Sequence, residues 1–557
     1  MTQRAKNIGY LVALTAAVVL IISLLSRNGE ERAFINGQVL TLNNNQPNAT
    51  AMLIRGDRII AIGDDADVLE QASDTAPVVD LAGKTLIPGF VDAHSHFPVS
   101  GLSAVSVNIA PPPIGPGESK EAVIDAIAQA IPKTAAGRTP PFVLGFNYDN
   151  TAFDIPAHPT RQELDEISGD YPVYLWHSSG HLGVANSAAL KRLNIDENTA
   201  EVKGGARGRD FAGQLNGLLA EKAAPSMTRL LKQMQWRDVF SIVTQARDEY
   251  LAAGQTTIQN GYASLGMRRL LNFLHWTGIV PQRVHTWIAH DKLDSKAARG
   301  LPKNTTIKII VDGSPQGLTA LVTQPYLVKA FGGDNRGVPI YAQEKLNELV
   351  LEYHRLGYQI ALHGNGDAAI DQIIEAVSQA QAELPRPDAR HILVHAQLLR
   401  GDQIEKMRGL SLSPSFFTTH TFFWGEWHLK TLGLRRASSL SPAATAAKNG
   451  LRFSLHADTP VTPANSLFLM WAASERETRS GLVLGAGERI ERLEALKAVT
   501  IEAAWQAFQE DQIGSLEVGK LADFVVLNEN PLTVPDLRNM HVAETWIGGR
   551  RHYLNEK

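Results

Sequence analysis

The tripeptide His94-Ser95-His96 closes an apolar run, Leu86-Ile-Pro-Gly-Phe-Val-Asp-Ala-His-Ser-His-Phe97. Residues two apart on an extended strand share a face. Two imidazoles therefore stand side by side, where one divalent ion can take a nitrogen from each. The lead-in reads as a buried strand rather than a solvated turn, so a metal site is favoured over two loop histidines. The chain contains no cysteine. That removes thiolate ligands, disulfides, a cysteine nucleophile and a lipid-modified N-terminal cysteine. Further ligands must come from His, Asp, Glu or a modified Lys.

Positioning such groups needs a scaffold of strands. Short apolar segments recur at Thr85–Ala93, 256–259, 282–287, 306–311, 358–363, 392–395, 410–414 and 451–455. Amphipathic helical stretches, such as 343–356, 368–383 and 400–408, lie between several of them. Strand–helix alternation implies a parallel sheet, and eight such units fit an α/β fold of the (β/α)8 TIM-like barrel type. Active residues of such barrels sit at the C-terminal strand ends. Those ends carry His94 and His96, Lys308 within Thr306-Ile-Lys-Ile-Ile-Val-Asp-Gly313, His363, His395 and Asp458. The stretch at about 98–255 is too long for one connection and is expected to be an insertion over the barrel mouth. Phe34-Ile-Asn-Gly-Gln-Val-Leu carries a hairpin signal, and 522–527 and 544–553 are further short strands. Neither chain end can bury its own core, so the two are expected to pair into one β-sandwich.

Lys308 is the unusual member. An ammonium among apolar residues of a barrel strand is costly unless paired. Two readings stand open: a structural ion pair with Asp312 or Asp458, or a carbamate formed with carbon dioxide on Nζ, an anionic oxygen ligand.

The ordered motifs PGFVDAHSH, IKIIVDGS, LHGNGDAAI, HAQ, HADTPV and IGSLEVGKLADFVVL run across residues from about 33 to 557. In these the chain resembles the amidohydrolase superfamily, specifically metal-dependent amidohydrolase family 3. The resemblance implies a barrel plus β-sandwich and one or two divalent ions, zinc foremost. It further implies that His94, His96, Lys308, His363, His395 and Asp458 are the metal ligands and general base. Catalytic roles then fall to Asp458, Lys308 and His363. The expected activity is that of a hydrolase acting on carbon–nitrogen bonds other than peptide bonds. Metal-bound hydroxide would attack the carbonyl, and Asp458 would carry the proton to the leaving amine. An esterase or lactonase would use the same site. A non-catalytic binding protein on this scaffold predicts a lost ligand position, whereas all six are filled.

The pattern also departs from the family. Ser179-Gly180-His181 stands where Asp-Gly-His is common, and the last motif carries an additional His456. An aromatic segment from Phe416 to His428 follows the seventh strand. His181, His420 and Trp424 are the candidate substrate contacts. His428 and Trp427 read first as packing, and Glu221 reads as either a pocket or a solvated residue. Asp367 reads as either a helix N-cap or a partner orienting a ligand histidine.

Residues Ile8 to Ser26 are free of charge, close to the length that crosses a bilayer. The run lacks a polar face and an A-x-A-like cleavage site, so an uncleaved anchor is expected over a cleaved signal peptide. Arg4 and Lys6 precede it, while Glu30 and Glu31 offset Arg27 and Arg32 after it. This places a single-pass protein with its catalytic body outside the cytoplasm, periplasmic or extracellular. The expected division is 1–32 anchor, 33–86 first part of the sandwich, 87–517 barrel with its insertion, and 518–557 second part of the sandwich. The chain is 44% hydrophobic and 20% charged with net charge −4, an ordinary globular balance without the basic footprint of a nucleic-acid binder. Expected partners are a small-molecule substrate and the membrane. A homo-oligomer is compatible with the composition.

Overall fold

Proline and glycine decide where the first chemistry-bearing segment breaks. In the computed structural model, which describes residues 29–135, 142–202, 205–225, 234–330 and 334–556, the segment read as one strand over Thr85–Ala93 is two. Thr85–Pro88 belongs to a sheet built from the chain ends, and Phe90–Ser95 to the barrel. Pro88 cannot donate to a ladder. A Cβ on Gly89 would stand 2.2 Å from the Thr256 hydroxyl oxygen, so only glycine fits at the crossing.

The barrel strands are β1 (Phe90–Ser95), β2 (Gln255–Ala263), β3 (Arg283–Ala289), β4 (Thr306–Ile310), β5 (Gln359–Gly364), β6 (His391–His395), β7 (Leu412–Phe416) and β8 (Ser454–Leu455). They pair in parallel and in chain order from β1 to β8. At the seam between β8 and β1 the His96 N–H donates to the Thr459 carbonyl, 2.8 Å. This TIM-like barrel orders its strand faces by parity. Ile307, Ile309, Ile360 and Leu362 pack outward against Leu346 and Val350 of the helix Gln343–Arg355 and Ile370, Ile373 and Val377 of the helix Asp367–Glu383. Both helices place apolar residues three and four apart, which makes one stripe toward the sheet.

Between β1 and β2 the chain forms a separate six-stranded mixed sheet from Val107–Asn108 to Leu215–Glu221. The chain ends meet through Thr85–Pro88, which pairs with Phe524–Leu527. Phe34, Phe524 and Trp546 lock the two end sheets together, with ring centroids 5.1 to 5.4 Å apart. The apolar run Ile8 to Ser26 lies outside the described residues. Among the described residues no helix is long and apolar enough to cross a membrane.

Candidate functional site

Six side chains gather at the C-terminal rim of the barrel, carried by five strands: two by β1 and one each by β4, β5, β6 and β8. His94 on β1 is 1% exposed. Its Nε2 lies 3.3 Å from Asp458 Oδ1 and 3.3 Å from Lys308 Nζ. His96 Nε2 lies 3.1 Å from the same Asp458 oxygen, and its side chain is 33% exposed, so it faces the opening. The His395 ring stands 4.5 Å from His363 and 5.5 Å from His94 between centroids. One ligand atom each from His94, His395 and Asp458 fall within 4.8 Å of one another.

Two of these residues are re-aimed by backbone strain. By parity His395 would point outward with Leu393 and with His391, whose Nε2 meets Nδ1 of His354 on the outer helix at 2.9 Å. A φ of +74° at His395 turns it into the rim instead. Asp458 has φ +50°. Left-handed backbone at non-glycine residues costs energy and persists where the surroundings over-determine it.

The fit of this donor set to a cation follows from an atom left without a partner. Asp458 Oδ1 is buried beside the Nε2 atoms of His94 and His96 with no well-directed hydrogen bond. Imidazole nitrogens and a carboxylate oxygen converging at 3.1 to 3.3 Å suit a divalent ion of borderline hardness. Behind them Trp287 stacks on His94 at 5.0 Å and an interplanar angle of 11°. A Cβ on Gly261 would come within 1.9 Å of the His94 ring, so the ring needs a glycine beside it.

Lys308 is 2% exposed. The ion pair with Asp312 expected as one reading does not form. Both Asp312 oxygens are occupied: Oδ1 accepts from His363 Nδ1 at 3.1 Å and Asn365 N–H at 3.0 Å, and Oδ2 from Gly366 and Leu321 N–H at 2.8 and 3.0 Å. Burial pushes the Lys308 amine down to about 7, with Asp458 opposing. Asp312, not Asp367, is thus the carboxylate that orients His363, whose Nε2 meets Asn365 Nδ2 at 3.3 Å. Asp367 accepts from the Thr323 N–H at 2.9 Å and pairs with Arg400 at 3.1 Å. The legible signal for Asp312 was a carboxylate one turn beyond a strand end, but spacing alone does not say which neighbour it serves. Burial would raise the Asp458 carboxyl, yet the close approach and charge of His96 outweigh it and hold the group below the ordinary carboxylate range.

The inserted sheet supplies His181 and Glu221. They meet across a strand pair, His181 Nδ1 to Glu221 Oε2 at 2.9 Å. Burial alone would depress the imidazole, but the Glu221 carboxylate, with Asp458 and Asp312 further off, holds it above the ordinary histidine value. Ser179, in place of a carboxylate, bonds the His177 ring at 2.9 Å. His420 is buried, with Nδ1 on His428 Nε2 at 3.1 Å and its ring 4.5 Å from both Phe417 and Trp424. Phe417 in turn lies 6.0 Å from the His395 ring, so His420 stands one ring behind the rim. Trp424 donates its indole N–H to Asp149 at 2.6 Å and is buried, with its ring packed against His420 and Phe423.

A model described as the amidohydrolase family matches residues 77–553. An N-substituted formamide deformylase from Arthrobacter pascens is 28% identical over 93% of this chain and 97% of that protein. Protein LONG AFTER FAR-RED 3 from Arabidopsis thaliana is 28% identical over 93% of this chain and 91% of its own. An uncharacterized metal-dependent hydrolase from Pyrococcus horikoshii shares the fold, with a TM-score of 0.73, 23% identity, and coverage of 92% of this chain and 100% of that one.

Proposed function

The chain belongs to the amidohydrolase family, and from that premise we propose that it hydrolyses the carbonyl–nitrogen bond of a small non-peptide amide, giving a carboxylic acid and an amine. The observation that carries the reading is the convergence of His94, His395 and Asp458 at one rim, with His96, His363 and Lys308 beside them. These six residues would hold one or two divalent ions, zinc foremost. A bound ion would acidify water and polarise the substrate carbonyl.

The chain's own groups do the rest. Asp458, ionised at neutral pH, takes the proton from the attacking water at its carboxylate and delivers it to the leaving nitrogen. His363 is held by Asp312 in the tautomer with Nδ1 protonated. His181, held by Glu221 through Nδ1, is the group assigned to donate to the substrate. Lys308, whose buried ammonium readily loses a proton, then reacts as the free amine with carbon dioxide to give a carbamate and a second proton, which replaces a cation by an oxygen donor.

The relative named as an N-substituted formamide deformylase makes N-substituted formamides the first compounds to try. The test is a panel of N-substituted formamides, acetamides, simple esters and lactones, assayed with metal content measured in parallel. Turnover of an amide above the matched ester supports the reading. Turnover confined to esters or lactones transfers the site to carbon–oxygen chemistry.

The charge-free run from Ile8 to Ser26 is proposed to anchor this body outside the cytoplasm. Deleting residues 1–27 should release active enzyme from the membrane fraction. A reporter fused after Lys557 that works only in the cytoplasm would overturn the orientation, and a mature N-terminus near Arg27 would replace the anchor by a cleaved signal.

A further inference from the structure

One buried polar chain is used by none of the steps above. His395 Nδ1 meets His456 Nε2 at 3.0 Å, and His456 Nδ1 meets Ser415 Oγ at 2.9 Å. Ser415 Oγ lies 2.8 Å from Ser454 Oγ, which lies 2.6 Å from Gln506 Oε1. Gln506 Nε2 reaches the Pro414 carbonyl at 3.0 Å and Ser413 Oγ at 2.9 Å. Every side chain in the row is at most 4% exposed. Water cannot repair an error in its proton order, and a mismatch would leave two acceptors or two donors facing each other.

The Pro414 carbonyl is the fixed end. A backbone carbonyl only accepts, so the Gln506 amide must turn its NH2 toward Pro414 and its oxygen toward Ser454. Ser454 has one proton, and at 2.6 Å from an oxygen that can only accept it must donate there. The 2.8 Å contact between the two serines then needs the Ser415 proton. With that proton committed, Ser415 can only accept from His456, which places the His456 proton on Nδ1. Neither ring nitrogen of His456 touches a carboxylate, so the buried ring is neutral and its Nε2 is an acceptor. His395 must therefore donate from Nδ1, which leaves Nε2 a bare lone pair at the rim.

We infer that His456, through Ser415, Ser454 and Gln506, is a positioning residue that sets the tautomer of His395 from a backbone carbonyl outside the site. The inference rests on the reading of His395 as a metal ligand. It goes further in assigning a role to the additional histidine of the last motif.

The chain's polarity makes a discriminating set of variants. Glutamine can accept through Oε1 and donate through Nε2, as His456 does, whereas leucine can do neither. Zinc affinity of the full-length protein is measured by competition with a chromogenic chelator. H456L should bind zinc about 10–100-fold more weakly and S415A about 10-fold more weakly, while H456Q stays within about 3-fold of the parent. Thermal unfolding identifies which variants are folded. Should H456L fail to fold, S415A, which removes one hydroxyl, decides. Neutron diffraction from the metal-free protein should place deuterons on Nδ1 of both His395 and His456. A folded H456L or S415A with parental affinity, an H456Q as weak as H456L, or a deuteron on His395 Nε2 overturns the inference. A parent protein that holds no zinc, with the deuterons as expected, instead removes the metal reading and leaves the proton order standing.

Discussion

Asp458→Asn should lower turnover by about 10²–10⁴-fold while the protein retains its metal. The carboxylate stands at the strand end with His94 and His96 at 3.3 and 3.1 Å on one oxygen. Its pKa is held down, so the carboxylate is ionised at neutral pH and has an open lone pair for the proton. Asparagine keeps the shape and an oxygen but cannot take that proton. The measurement is kcat with metal content read on the same samples. A variant with full metal and near-parental turnover refutes the proton-shuttle role, and loss of metal with activity assigns Asp458 to binding alone.

The second large effect concerns Lys308. Lys308→Ala should lose metal together with activity, and a short carboxylic acid in the buffer should restore part of both by occupying the vacated space. Lys308→Arg should not rescue, because guanidinium offers no lone pair to a cation. The geometry motivates this. Nζ is buried, lies 3.3 Å from a histidine nitrogen, and forms no ion pair within 4.0 Å among the described residues, while Asp312 is fully engaged elsewhere. An ammonium left there would repel a cation, whereas a carbamate would attract one. Electron density from the metal-loaded enzyme separates the two: a branched group on Nζ supports the carbamate, and an unmodified Nζ at full occupancy removes it.

Much of this was legible in the sequence because barrels reveal themselves locally. Short apolar strands that end in His, Lys or Asp, with amphipathic helices between them, carry the order of β1, β4, β5, β6 and β8 and the residues at their tips. Relations across strands were less legible. Asp312 reads as a partner for Lys308 from four residues away, yet it serves His363 and the backbone beyond it, because the turn after β4 folds over the end of β5. His395 is placed by a left-handed residue that no alternation predicts. The Pro88–Gly89 break depends on the Thr256 side chain, which is remote in sequence. His456 was visible as an additional imidazole on the face of Asp458, but its partner His395 is 61 residues away. The aromatic segment was visible as composition, while the bond from Trp424 to Asp149 spans 275 residues.

The most direct test of the central claim is a metal titration. Protein stripped by a chelator should be inactive toward an amide substrate of the intact enzyme. Activity should return as zinc is added and level off at one to two equivalents per chain, with the bound metal confirmed by elemental analysis. Metal-free protein that retains full activity would contradict the account.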